Sequence, residues 1–291
     1  MSAWRSLQPA IPEAFLVARR TRFDVVRVVG PQAGSYLEGQ LSQNVETLDV
    51  GDCRWSLLLQ PQGHMVALFR VVRTGPEAFS FIADPGAGSS IAARLERFKL
   101  GTQAEIESST CEAISVRSAE PTDLPAGPVA HDGELAYVPL LWPELPGVDV
   151  FGAAVERVAP EGDPDLIEAL RIGAGLPVFG VDYDDRTVPA SLGVVDISVD
   201  FTKGCYTGQE LVARMDSRGN NAPRKLRVLS AVGAAPAVGA EGFVDGGGDP
   251  VAELTSVASI SNGWVALASV KRAALEVAEF HVGGTVAVVQ P

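Results

Sequence analysis

The chain has 291 residues, with 36 acidic against 23 basic side chains, and therefore a formal net charge of −13. That balance argues against a general binder of nucleic acid or of an anionic membrane surface, because affinity for a polyanion is built from Lys and Arg neutralising its phosphates. With 46% hydrophobic and 20% charged residues, the composition is that of a packed globular protein, long enough for two domains.

The start, Met1-Ser2-Ala3-Trp4-Arg5, lacks the basic cap, apolar stretch and small-residue cleavage site of a leader, and no apolar run of about 18 residues occurs. A soluble, cytoplasmic protein without membrane contact is expected. Phe23-Asp24-Val25-Val26-Arg27-Val28-Val29 is β-branched and stopped by Gly30-Pro31, which predicts a strand and a turn. In Pro31 to Leu41, apolar Ala33, Tyr36, Leu37 and Leu41 recur at helical spacing. Trp55 to Leu59, Met65 to Arg73 and Phe79 to Ala83 read as strands, the first two joined by the turn Gln60-Pro61-Gln62-Gly63.

Asp84-Pro85-Gly86-Ala87-Gly88-Ser89-Ser90 leads into an amphipathic helix with Ile91, Leu95 and Phe98 on one side. Glycines before a helix invite a phosphate-loop reading, but the third glycine of a dinucleotide fingerprint is absent and no Gly-Lys-Ser/Thr follows. A tight turn with Ser89 or Ser90 as helix cap is the better reading. Residues 118 to 163 are punctuated by prolines around one strand-like piece, Leu135 to Leu141. Asp163-Pro164-Asp165 opens a helix whose buried face is Leu166, Ile167, Leu170 and Ile172, ended by Gly173-Ala174-Gly175. After residue 225, Leu226 to Ala231, Val257 to Ile260, Trp264 to Val270 and Thr285 to Val289 predict a small antiparallel β-domain, with residues 232 to 250 as a surface hairpin loop.

Cys53, Cys111 and Cys205 match no zinc or disulfide spacing, and His64, His131 and His281 are scattered, so no resident metal or cluster is expected. The chemistry concentrates in residues 200 to 227. Thr207 and Glu210 have capping-box spacing ahead of Leu211-Val212, which predicts a helix from Gly208. Cys205 then lies before a helix N-terminus with Lys203 nearby. Both favour a thiolate and would lower its pKa if the sulfur is partly exposed. Between Lys203 and Arg227 six basic side chains stand against Glu210 and Asp216, a local excess of +4 that suits a small anion. The plainer alternative is a solvated helix face beside an ordinary buried cysteine.

Lys203-Gly204-Cys205-Tyr206-Thr207-Gly208-Gln209-Glu210 resembles the signature of the YgfZ family, folate-binding relatives of the glycine-cleavage T-protein. Tyr36 to Val45 resembles that family's first-helix segment, Leu59 to His64 its Pro-x-Gly hairpin, and Arg171 to Pro177 with Gly180 and Asp182 the stretch before the signature. The resemblance spans about residues 20 to 230. It implies an α+β, T-protein-like fold of two intertwined sub-lobes around a central cavity, over residues 1–225, and a C-terminal antiparallel β-barrel over residues 226–291.

It further implies that tetrahydrofolate lies in the cavity with its tail towards solvent and the signature cysteine near the opening. Phe23 and Ile167 would wall the pocket, with Arg171 and Ser191 at matching positions. The function implied is assembly or repair of iron–sulfur clusters in client enzymes, with client or assembly proteins as partners. The sequence departs from the T-protein at two places: Met65-Val66-Ala67-Leu68 carries no acid, and Ser191 stands where the T-protein has Glu. Glycine-cleavage aminomethyl transfer is therefore not expected.

Three readings follow. The first is a folate-binding accessory protein with Cys205 as functional thiol, relaying a cluster, accepting a one-carbon unit or exchanging with a disulfide. The second is a folate-dependent one-carbon transferase or demethylase, which needs a pocket carboxylate such as Asp182, Asp184 or Asp185. The third is a client-docking module. Within the signature, Gly204 and Gly208 allow close approach or positive φ, Thr207 and Glu210 hold the helix start, and Gln209 bonds a ligand amide or a loop. Lys203 pairs with an anionic ligand or with Asp200, and Tyr206 walls the pocket or packs.

Overall fold

The computed structural model describes residues 16–118, 127–152, 164–219, 221–244 and 247–290. Met1 to Arg5 and the helix-opening Asp163 lie outside the described residues, as does part of the proline-punctuated stretch.

Strand β1 (Leu16–Val29) is the centre of the larger sheet and extends the predicted strand towards the N-terminus. After it come the short helix α1 (Ala33–Glu38), the strands β2 (Cys53–Leu59), β3 (Met65–Gly75) and β4 (Ala78–Ala83), and helix α2 (Gly88–Phe98). β5 (Glu105–Ser118), β6 (Ala130–Asp132), β7 (Leu135–Pro139) and β8 (Gly147–Phe151) complete eight strands in the order β2-β3-β4-β1-β5-β8-β7-β6. β2 and β3 are buried almost throughout because the sheet is covered on both faces. Val26, Leu37, Phe69, Phe81, Ile91 and Leu95 form the core under α1 and α2. Trp55, Leu57, Leu68, Ile167, Tyr183 and Tyr206 form the core on the other side.

β5 is the element the sequence reading misses. Its first half, Glu105 to Glu112, is largely exposed and polar, so no apolar alternation marks it; backbone pairing with β1 from Val29↔Glu105 to Leu16↔Ser118 holds it in place. β8 is likewise unread, hidden between prolines. The predicted serine cap on α2 is not formed: the N-cap is Ala87, with no side-chain cap. Instead Asp24 Oδ2 accepts from the amides of Gly86 (2.8 Å) and Gly88 (2.9 Å). The helix N-terminus already holds an internal carboxylate, which leaves no place for a phosphate there.

Helix α3 (Pro164–Gly173) carries the predicted buried face and ends at Gly175 with φ +69°. The one-turn helix α4 (Val195–Ser198) and helix α5 (Gln209–Asp216) follow. β9 (Arg224–Val232), β10 (Glu241–Phe243), β11 (Ala252–Ile260), β12 (Gly263–Lys271), β13 (Glu279–Val282) and β14 (Thr285–Val289) close a barrel in the order β10-β11-β12-β9-β14-β13. Trp264, Phe280, Leu229 and Leu254 belong to its core. Ala169 and Ile172 of α3 pack against Ala258, Val265 and Leu267, so one helix serves both the cavity and the barrel.

Candidate functional site

The segments that carry the family resemblance meet in space. Lys203 Nζ is buried and donates to three carbonyls, of Glu38 (2.7 Å), Leu41 (2.8 Å) and Gln43 (2.8 Å). It also pairs with Glu38 Oε1 at 3.1 Å, while Glu38 Oε2 accepts from Val45 N–H (2.8 Å). Burial lowers the lysine's pKa, opposed by Glu38. Lys203 thus fastens the signature to the segment after α1, and Thr207 N–H donates to Gly39 O (3.1 Å). Glu38, not Asp200, is the ion-pair partner of the Lys203 ammonium; the Asp200 carboxylate accepts from the Lys203 backbone N–H.

The hairpin between β2 and β3 is locked to α5 through two glycines. Gly208 has φ +86°, and a Cβ there would lie 2.6 Å from Gln60 O; a Cβ on Gly63, at φ +87°, would lie 2.5 Å from Leu211 Cβ. Gly208 is itself the N-cap of α5, with no side-chain cap. The predicted Thr207–Glu210 capping box is therefore not formed, because the left-handed turn at Gly208 moves the helix start past Thr207. Gln209 Oε1 accepts from Tyr206 N–H (3.2 Å). Gly204 has neither a positive φ nor a close neighbour, so it is not required sterically. Cys205 is exposed, Cys111 half-buried and Cys53 buried, its thiol pushed up to about 11 by burial.

A cavity of about 230 Å³ opens between the sheet and α3. Phe23, Ile167 and Arg171 line it together with Trp55, Arg70 and Asp84, which the sequence reading did not single out. Arg70 is 1% exposed, its guanidinium 5.7 Å from the ring centroids of both Phe23 and Trp55. It bonds Val138 O, Pro139 O (2.9 Å) and Asp149. Asp149 also pairs with Arg117 (2.8 Å) and accepts from Ser115 Oγ (2.6 Å). Burial would raise its pKa, but the Arg117 and Arg70 guanidiniums more than reverse that and hold it below the usual carboxylate range. A charged residue inside an otherwise apolar strand, as in Leu68-Phe69-Arg70-Val71 or Val148-Asp149-Val150, was the available signal.

Arg171 is a strut. It bonds Glu168 through Nε and Nη2, Leu176 O (2.6 Å) and Asp182 (2.9 Å) through Nη1, and Ser256 (2.7 Å) through Nη2. Its five N–H donors are thus all taken, and Asp182 continues to Thr255 and Ser256 of β11. Ser191 lies elsewhere, on a cavity of about 810 Å³ with His64, Asp184, Arg224 and Lys225, so it does not join Phe23 and Ile167. Asp182 and Asp184 also face that second cavity, but Asp182 pairs with Arg171 and Asp184 with Arg186, while Arg224 there bonds Ser269. None of residues 203–210 lines either cavity. Tyr206 connects them to the smaller one by packing in the same apolar cluster as Trp55, Leu68 and Ile167.

Burial pushes the Asp84 carboxyl up to about 6, against an ordinary value of 3.8. The folded chain therefore holds this proton more tightly than the unfolded one. The resulting stability is present below about pH 4 and is lost as pH rises through about 6. The melting temperature of Asp84→Asn should accordingly gain on the natural protein between pH 4 and 7; a constant difference across that range would contradict the assignment.

No family model matches the chain. A protein of Haemophilus influenzae without an assigned function is 27% identical over 203 residues, 69% of each chain. The tRNA-modifying protein YgfZ of Vibrio vulnificus strain YJ016 is 25% identical, covering 77% of this chain and 73% of its own. That of Edwardsiella ictaluri is 25% identical, covering 74% and 72%. The chain is thus similar to YgfZ proteins over about three quarters of its length. Its fold is that of the T-protein: the glycine cleavage system aminomethyltransferase T from Bartonella henselae superposes with a TM-score of 0.77 over 94% of this chain and 84% of that one, at 18% identity. The chain is thus a T-protein-like α+β assembly closed by a β-barrel. Among the described residues no helix is long and apolar enough to cross a membrane.

Proposed function

We propose that this chain binds a reduced folate in the cavity lined by Phe23, Trp55, Asp84 and Ile167, and serves assembly or repair of iron–sulfur clusters in client enzymes through the exposed thiol of Cys205, in the cytoplasm. The observation that carries the folate reading is the pairing of aromatic walls with a carboxyl-bearing residue in one cavity. Its volume is below the roughly 300–1,000 Å³ typical of whole-ligand pockets. The ring system therefore enters and the anionic tail stays outside. Bound tetrahydrofolate supplies ring nitrogens able to carry a one-carbon unit. The protein's own part is to pack the ring against Phe23, Trp55 and Ile167, to hold Arg171 rigid through Asp182, and to exclude bulk water.

Relatives bear the name tRNA-modifying protein, and the charge of −13 leads us to place the action on a protein that modifies tRNA rather than on RNA itself. Cluster contact at Cys205 is transient or shared with the client, because one thiolate cannot supply the four ligands that hold a cluster. Fluorescence titration with tetrahydrofolate, read through the Trp55–Trp142 pair (centroids 5.3 Å apart), tests the reading. Saturable quenching is expected, with Phe23→Ala weakening binding at least tenfold, and Cys205→Ala should keep binding but lose support of cluster-dependent enzymes in cells. No quenching in a folded protein, or full cellular activity of Cys205→Ala, would sink the proposal. Asp84 gives the one-carbon transferase reading a specific basis, and formation of methylene-tetrahydrofolate from amines would favour it over the accessory role.

A further inference from the structure

Neither Met65 to Leu68 nor position 191 brings an acid to the smaller cavity: the first stretch carries none, and Ser191 faces the other cavity. The fold brings a different carboxyl to the ring pocket. Asp84 follows β4, where the chain turns towards α2, and its carboxyl opens on the cavity of Phe23, Trp55 and Ile167. Asp84 Oδ2 accepts from Phe179 N–H at 2.9 Å, and among the described residues nothing donates to Oδ1. On the same wall, Arg70 Nε is buried without a partner. An acceptor and a donor left open beside aromatic walls are what a flat heterocycle with N–H groups and a carbonyl on adjacent edge positions would complete.

We propose that Asp84 is the carboxylate that recognises the 2-amino and N3–H edge of a pterin ring, with Arg70 donating to the neighbouring 4-oxo group. The assignment rests on the folate reading and fixes which edge of the ring points inward. Asp84 Oδ1 and the remaining lone pair of Oδ2 take the two ring N–H donors, and Phe179 N–H holds the carboxylate in place. Arg70 is held by Asp149 and by the carbonyls of Val138 and Pro139, so its unpartnered donor is kept at the cavity wall.

Calorimetric titration of the natural protein and of Asp84→Asn with tetrahydrofolate and with its 2-desamino-2-methyl analogue, at pH 7.5, tests this. Phe179 N–H orients the asparagine oxygen towards itself and its amide N–H₂ towards the ligand, so a donor replaces the acceptor. Tetrahydrofolate should bind Asp84→Asn about ten- to a hundredfold more weakly. Loss of the 2-amino group should weaken binding to the natural protein by a similar factor and change binding to Asp84→Asn less than threefold. Equal affinity of both proteins for tetrahydrofolate, or an equal analogue penalty in both, overturns the assignment and leaves the folate reading standing. Absence of tetrahydrofolate binding to the natural protein overturns both. A ligand-free Asp84→Asn that melts at or above the natural protein shows that weaker binding is not unfolding, and the analogue arm on the natural protein needs no variant.

Discussion

Asp149→Ala is expected to destabilise the protein by about 3–5 kcal/mol, a large part of the roughly 5–15 kcal/mol that holds a typical domain together. Asp149 is fully buried on β8 and is the shared counter-ion of Arg70 and Arg117. Truncation would leave two guanidiniums in the interior without a negative charge, and Ser115 without its acceptor. The urea midpoint should fall accordingly, and folate binding should fail with it, because Arg70 would no longer be held between Phe23 and Trp55. Replacing the three charged residues together by apolar ones of similar volume should restore much of the stability but not the binding. A loss below about 1 kcal/mol for Asp149→Ala would show that the cluster is not the strut its geometry indicates.

The second large effect is expected at Lys203. Lys203→Met removes a buried ammonium that gathers three carbonyls and Glu38, and should cost about 3–5 kcal/mol, as when one partner of a buried pair is removed. Hydrogen exchange should quicken both in residues 39–45 and in 203–210, two segments far apart in sequence, because this one nitrogen ties them. Lys203→Arg should not rescue, since a planar fork cannot converge on acceptors arranged around a single point. Exchange confined to the signature alone would mean that Thr207 and Asp200, which bond Gly39 O and Ser42 O, carry the junction instead.

These two residues show different degrees of legibility. Lys203 stood inside a motif that could be read, yet its role could not, because a lysine before a cysteine looks like a cation offered to a thiolate or an anion. Its partners, 160 or more positions away, turn it inward. Asp149 and Arg70 carried a signal in their apolar strands that went unused. Phe23 and Ile167 came from the resemblance and share a cavity, whereas Ser191, carried over the same way, faces another.

Local pattern by itself determined the strands from Phe23 to Ala83, the buried face of α3 and the β-rich end of the chain, because periodic apolar burial is written into short stretches of residues. It could not reveal β5, whose polar half is a strand only because β1 pairs with it along its whole length. Nor could it reveal the smaller cavity. Phe23, Trp55, Arg70, Asp84, Asp149 and Ile167 come from separate elements, and only the sheet order and the packing of α3 against both sheet and barrel bring them together. The charge of −13 was legible at once. That Asp84 lines a cavity, where burial raises its pKa to about 6, was decided by the tertiary structure, because desolvation depends on what surrounds a group and not on its neighbours in sequence.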